Sequence, residues 1–152
     1  MSGRLPAGDR LQLRVQTGDG FEVLRPVTAF AIALAEQAGL DEVAGYRLRL
    51  AVDELATNVV MHAYGPPGGS LLVDAGVEHD RLWVRLTDHG PPFDPTAAPD
   101  PLAGPVGLSE RQPGGLGIAL ARRSVDRLEY HRDGDANVVV VVMALHDEEG
   151  CT

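Results

Sequence analysis

The chain has 152 residues, 44% hydrophobic and 23% charged, which suits one globular domain able to bury a core without disulfides or a structural metal. It carries 13 basic against 22 acidic residues, a net charge of −9, and every basic residue is Arg. With no basic run, binding to nucleic acid through counterion release is excluded, and docking on an anionic membrane is disfavoured. The single cysteine, Cys151, can form no internal disulfide, and no Cys/His spacing suggests zinc. No apolar run reaches the length of a membrane helix, and the first ten residues lack the apolar stretch of a signal peptide. The expected compartment is the cytoplasm.

Residues 1–10 read as a flexible lead and 146–152 as a flexible acidic tail, leaving 11–145 as the domain. Strict alternation over 11–16 predicts a half-buried strand. Helical spacing of Val27, Phe30, Ile32, Leu34 and Ala35 predicts a helix over about 23–38, with Pro26 in its first turn and Gly39 ending it. Asp41 can cap a second helix that runs to about Tyr64, where the Gly/Pro run 65–69 stops it. Alternating runs at 70–77 and 81–87, joined by His79 and Asp80, predict a hairpin. Residues 90–113 hold seven Pro and three Gly, which marks a lid over about 91–113. A helix over about 116–125 and a closing hairpin, 127–132 with 137–145, complete the chain. Because helices and strands are grouped, the expected fold is an α+β two-layer sandwich, with helices on one face of a mixed β-sheet.

Chemistry concentrates in three places. Glu54, Asn58 and His62 are spaced i, i+4, i+8 and share one helical face, with Leu50, Leu55, Val59 and Val60 expected on the core side. The carboxylate can orient or deprotonate a hydroxyl or water, and the amide oxygen can ligate Mg²⁺. A solvated polar stripe fits the same spacing, and Asp53 beside it reads as a surface charge. Asp88 and Gly90 follow a predicted strand. The carboxylate can accept from a ligand amino group, and the glycine can let a flat ring approach the backbone. An ordinary exit turn is the competing reading. Gly114, Gly115 and Gly117 open a helix after the lid, where free backbone N–H groups suit phosphate. That cluster lacks the Lys-Ser/Thr of a P-loop and the preceding strand of a dinucleotide fingerprint.

Taken in order, the three clusters resemble the GHKL (histidine kinase-like) ATP-binding fold. The Glu-x-x-x-Asn-x-x-x-His-Ala-Tyr run from Glu54 to Tyr64 and the Asp-x-Gly-x-x-Phe-Asp-Pro run from Asp88 to Pro95 look most like bacterial anti-sigma factor serine/threonine kinases. The resemblance implies that Glu54 is the catalytic base and Asn58 the Mg²⁺ ligand. It implies that Asp88 binds the adenine amino group beside Gly90, and that Gly114, Gly115 and Gly117 cradle phosphates. His62 falls near the nucleotide. Arg111 is the one lid Arg available for the γ-phosphate, with a solvated charge as the alternative. Arg25 resembles a sigma-contacting position. The family's usual adenine-holding Thr on the last strands is missing; Asn137 or a water can take its place.

The implied activity is phosphoryl transfer from ATP, with Mg²⁺, to a Ser or Thr of an anti-sigma factor antagonist. The implied partners are a sigma factor, that antagonist and a second copy of the chain in a homodimer. A non-catalytic ATP-dependent binding module on the same fold is the alternative, and a detached histidine-kinase catalytic domain is a third reading. The chain is too short to add a phospho-accepting helical hairpin.

Overall fold

The computed structural model describes residues 8–65, 67–97 and 115–145. Strand β1 (Arg10–Gln16) leads through a 3-10 segment (Thr17–Val23) into α1 (Leu24–Ala38). Gly20 takes φ +70° there and breaks the segment. Pro26 lies in the first turn of α1, as its missing N–H requires. Gly39 closes α1 in the left-handed conformation, and the Leu40 N–H donates to Ala35 O at 3.0 Å. Helix α2 (Glu42–Asn58) starts at Asp41, whose side chain accepts the Ala44 N–H at 2.8 Å. It continues as a π turn (Val59–Ala63), and Tyr64 leaves in extended geometry, so the helical path ends one residue before the expected Tyr64.

The hairpin β2 (Ser70–Glu78) and β3 (Arg81–Asp88) turns at His79 and Asp80, both at positive φ (50° and 61°). Positive φ at both turn residues matches the right-handed twist of the flanking strands. Helix α3 (Gly115–Ser124) and the hairpin β4 (Arg127–Asp133) and β5 (Ala136–Ala144) follow.

The sheet order is β1-β2-β3-β5-β4, and every neighbouring pair is antiparallel. The two-layer α+β expectation holds, but the sheet is not mixed. Strands β3 and β4, joined through α3, point the same way; β5 returns between them and so pairs antiparallel with each.

Register decides the two faces. Leu71, Val73, Ala75, Leu82, Val84, Leu86, Val139, Val141 and Met143 point at the helices and are buried. Val27, Leu34, Leu48, Val52 and Leu55 meet them from α1 and α2. Leu55 and Val59 are core as expected, whereas Leu50 and Val60 are only half-buried, because Leu48, Ala51 and Val52 take the inward positions. Asp53 is more than a surface charge: it accepts the Thr28 hydroxyl at 2.7 Å and pairs with Arg49 at 3.7 Å, tying α2 to α1.

The opposite sheet face holds Asp74, fully buried, between Arg85 and Arg10. Arg85 grips it with two parallel hydrogen bonds, one from Nε at 3.0 Å and one from Nη2 at 2.5 Å. Those bonds hold the Arg85 guanidinium still more firmly protonated than usual. Both guanidinium groups also lie over the Trp83 ring, at 5.2 and 5.6 Å.

Candidate functional site

Helix α2 presents Glu54 and Asn58 one turn apart on one face, and the π turn that continues it carries His62. Asn58 and His62 line a cavity of about 210 Å³ with Leu55, Val59 and Ala63. The far wall is Leu86 and Asp88 from β3 and Asn137 and Val139 from β5. Pro91, Pro92, Phe93 and Pro95 close it. The lining is apolar apart from Asn58, His62, Asp88 and Asn137, the usual make-up of a site for a flat apolar ligand with a few polar edges. The volume is below the ~300–1,000 Å³ of pockets that take whole drug-sized ligands, so it suits a base with the remainder of the molecule outside.

Glu54 lies one turn before Asn58 and outside the cavity lining. Its carboxylate sits against Gly117 in the first turn of α3, on the spot that a Cβ at residue 117 would occupy. The glycine therefore has a concrete cause: it makes room for Glu54. Gly115 opens α3, whereas Gly114 and Arg111 lie outside the described residues.

Asp88 ends β3 and is buried. Its Oδ1 accepts from the Gly90 N–H at 2.9 Å and from Asn137 Nδ2 at 3.0 Å. Among the described residues no hydrogen bond ends on its Oδ2, leaving one carboxylate oxygen for a ligand. Gly90 does not face the cavity as a platform for a ring. A Cβ there would strike the carbonyl of Ala63, so the glycine serves the close approach of this turn to the π turn. Asn137 lines the cavity, but its amide is already engaged. Nδ2 also donates to Pro91 O at 2.9 Å, while Oδ1 accepts the Phe93 N–H at 3.1 Å and the Tyr130 hydroxyl at 2.8 Å. It therefore ties Asp88 to the Pro91–Phe93 wall. The lid expected over 91–113 begins as that wall; residues 98–114 lie outside the described set.

Sequence reasoning missed the apolar wall, because prolines 91, 92 and 95 read as loop punctuation. It also assigned no chemistry to Tyr64. The Tyr64 hydroxyl donates to Ser70 O at 2.7 Å and accepts the His89 N–H at 2.6 Å. Burial raises its pKa above the ordinary 10.0, opposed by the hydrogen bond from His89. At the rim, Arg132 Nη1 donates to Gly90 O at 2.8 Å and His89 Nδ1 lies 3.3 Å from Asp135.

The model of the histidine kinase-like ATPase domain matches residues 21–143. The chain belongs to the histidine kinase-like ATPase family, in its RsbW serine-protein kinase branch.

Within that branch it is 32% identical over 112 residues to the serine-protein kinase RsbW of Listeria innocua, covering 70% of this chain and 71% of the relative. It is 31% identical over 104 residues to RsbW of Halalkalibacterium halodurans, covering 66% of this chain and 64% of the relative. The chain thus spans just under two thirds of the latter protein. The serine/threonine-protein kinase BtrW of Bordetella bronchiseptica is 37% identical over 90 residues, covering 57% of this chain and 61% of that one. The fold matches the RsbU and RsbW domains of Rv1364c from Mycobacterium tuberculosis at TM-score 0.64 and 16% identity, over 90% of this chain and 32% of that one. A blue-light activated histidine kinase of Erythrobacter litoralis matches at TM-score 0.53 and 20% identity, over 95% of this chain and 71% of that one.

The described residues hold no group of three His, Cys, Asp or Glu side chains able to take a metal. A Mg²⁺ that arrives with phosphates needs only one or two protein oxygens, and Asn58 offers one at the cavity edge. Among the described residues no helix is long and apolar enough to cross a membrane.

Proposed function

We propose that the chain is an ATP-dependent protein serine/threonine kinase that acts as an anti-sigma factor, transferring the γ-phosphoryl group of ATP to a Ser or Thr of an anti-sigma factor antagonist. The observation that carries the reading is the placement of side chains along α2 and its π turn. Glu54 stands at the first turn of α3, Asn58 at the cavity edge and His62 at the rim, with Asp88 across the cavity. Adenine fits between the Leu55/Val59 and Leu86/Val139 walls, with its amino group on Asp88 Oδ2. The phosphates then run out of the cavity past Asn58 toward Gly115 and Gly117. His62 stands beside the nucleotide, and Arg111 is the lid cation for the γ-phosphate.

Phosphoryl transfer depends mainly on alignment and charge stabilisation. Asn58 would hold Mg²⁺, which supplies neutralisation of phosphate charge. Glu54 orients the acceptor hydroxyl and takes its proton as the new O–P bond forms; the β–γ bridging bond breaks and ADP departs. The cavity walls exclude water from the base-binding end.

The sigma factor is assigned to the groove beside Arg25, where Phe21 and Ile32 stand 61% and 43% exposed next to Leu24. Exposed apolar side chains flanked by Arg25 and Glu22 suit a protein partner. A homodimer and a cytoplasmic setting complete the proposal.

The test is transfer of label from γ-labelled ATP to the antagonist that co-purifies with the kinase from its own cells. Glu54→Ala is expected to lower transfer by about 10²–10⁴-fold while ATP still binds. Undiminished transfer by Glu54→Ala removes the base assignment. ATP-dependent partner binding with no transfer by the wild type favours a binding module instead.

A further inference from the structure

The β2–β3 ladder runs from Glu78 opposite Arg81 to Leu71 opposite Asp88. One further step would set Ser70 opposite His89. The direct bond expected at that step is replaced by the Tyr64 hydroxyl, which donates to Ser70 O at 2.7 Å and accepts from His89 N at 2.6 Å. The phenol acts as a wedge between the two strand ends. Its ring lies where a Cβ on Gly69 would stand, so glycine at 69 is what lets the ring in. Immediately past the wedge, Gly90 packs on Ala63, the residue before Tyr64. The Asp88–Gly90 turn is thereby fixed to the end of the same helical path that carries Asn58 and His62. The Gly90 N–H, placed by that packing, donates to Asp88 Oδ1, as does Asn137.

We infer that Tyr64 is a positioning residue for base selection: by holding His89 off Ser70 it fixes Asp88 with Oδ1 saturated and Oδ2 open to the cavity, so the site favours a base with an exocyclic amino group. This rests on the ATP-binding reading above. Asp88 can only accept, and both Asn137 N–H groups are used within the protein. A base presenting a carbonyl at the same place finds no donor there, and leaves two acceptors facing each other.

The experiment compares Mg-ATP, Mg-ITP and inorganic tripolyphosphate by isothermal titration on the whole chain. Inosine carries a carbonyl where adenine carries the amino group. The wild type is expected to prefer ATP over ITP by about 10–100-fold. In Tyr64→Phe that ratio is expected to fall at least fivefold, with tripolyphosphate affinity within twofold of wild type. A second variant, Gly69→Ala, keeps the hydroxyl but pushes the ring, and should lower the same ratio; it serves if Tyr64→Phe does not fold. An unchanged ATP/ITP ratio in the folded variant overturns the inference, even if melting temperature drops, because a purely structural strut moves stability and not base selectivity. Failure of the wild type to bind ATP at all removes the nucleotide reading itself, and the inference with it.

Discussion

Gly117→Ala is the sharpest probe of the candidate base. The added Cβ lands on the Glu54 carboxylate, at a separation no real Cβ tolerates. Residue 117 sits on helical backbone, so the side chain of Glu54 gives way. Restoring van der Waals contact needs a retreat on the order of 1 Å. A displacement of that size in a reacting group costs about 10²-fold in rate. The helix itself gains from the substitution, by up to ~1 kcal/mol relative to Gly, so the fold should not weaken. The cavity is untouched, because Gly117 and Glu54 do not line it. The expected result is transfer of label to the antagonist down by about 10²-fold at saturating Mg-ATP, with the melting temperature at or above wild type. Rapid-quench transfer and thermal unfolding on the same preparation give both quantities. Wild-type transfer by Gly117→Ala would refute the claim that this Glu54 position is the reactive one.

Removing the buried carboxylate on the open sheet face should cost stability without touching nucleotide binding. Asp74→Ala strands Arg85, whose side chain is 35% exposed and so partly rehydrated; the expected loss is about 2–3 kcal/mol, or roughly 5–10 °C in melting temperature, read by urea and thermal unfolding. Tyr64 predicts an alkaline effect. Its folded pKa lies above the ordinary 10.0, so its contribution is complete below pH 10 and fades as pH rises through the folded value. Urea stability of the wild type should therefore run parallel to that of Tyr64→Phe up to about pH 9, and fall toward it only above about pH 10.

Local patterning exposed most of the elements and one line of the site. Glu54, Asn58 and His62 could be grouped because a helical period of 3.6 is the only assumption needed. Asp88 could be placed because it ends an alternating run. The antiparallel sheet was harder: a chain order of strand, helix, strand suggests parallel neighbours, and nothing local says that β5 will enter between β3 and β4. The Asp74–Arg85 pair did leave a signal. A two-residue turn at His79 and Asp80 fixes the register, and counting back from Glu78 and Arg81 puts Asp74 opposite Arg85. The parts of the site that stayed hidden act across long sequence separations. Asn137 reaches Asp88 across 49 residues and Phe93 across 44. The wedge role of Tyr64 depends on a π turn that no periodicity announces. Sequence alone suggests room for a ring at Gly90 and a phosphate cradle at Gly117, whereas each glycine makes room for a neighbour, Ala63 and Glu54.

The central claim is that the cavity flanked by Asn58 and Asp88 takes Mg-ATP. Thermal unfolding with and without Mg-ATP, in the wild type and in Asn58→Ala, tests it most directly. Ligand at a hundredfold excess over Kd adds ~2.7 kcal/mol. For a domain of this size the melting temperature should rise by roughly 5–10 °C. The account predicts that rise only when Mg²⁺ accompanies ATP, and its loss in Asn58→Ala. No rise at millimolar Mg-ATP, or an equal rise in the variant, would contradict it.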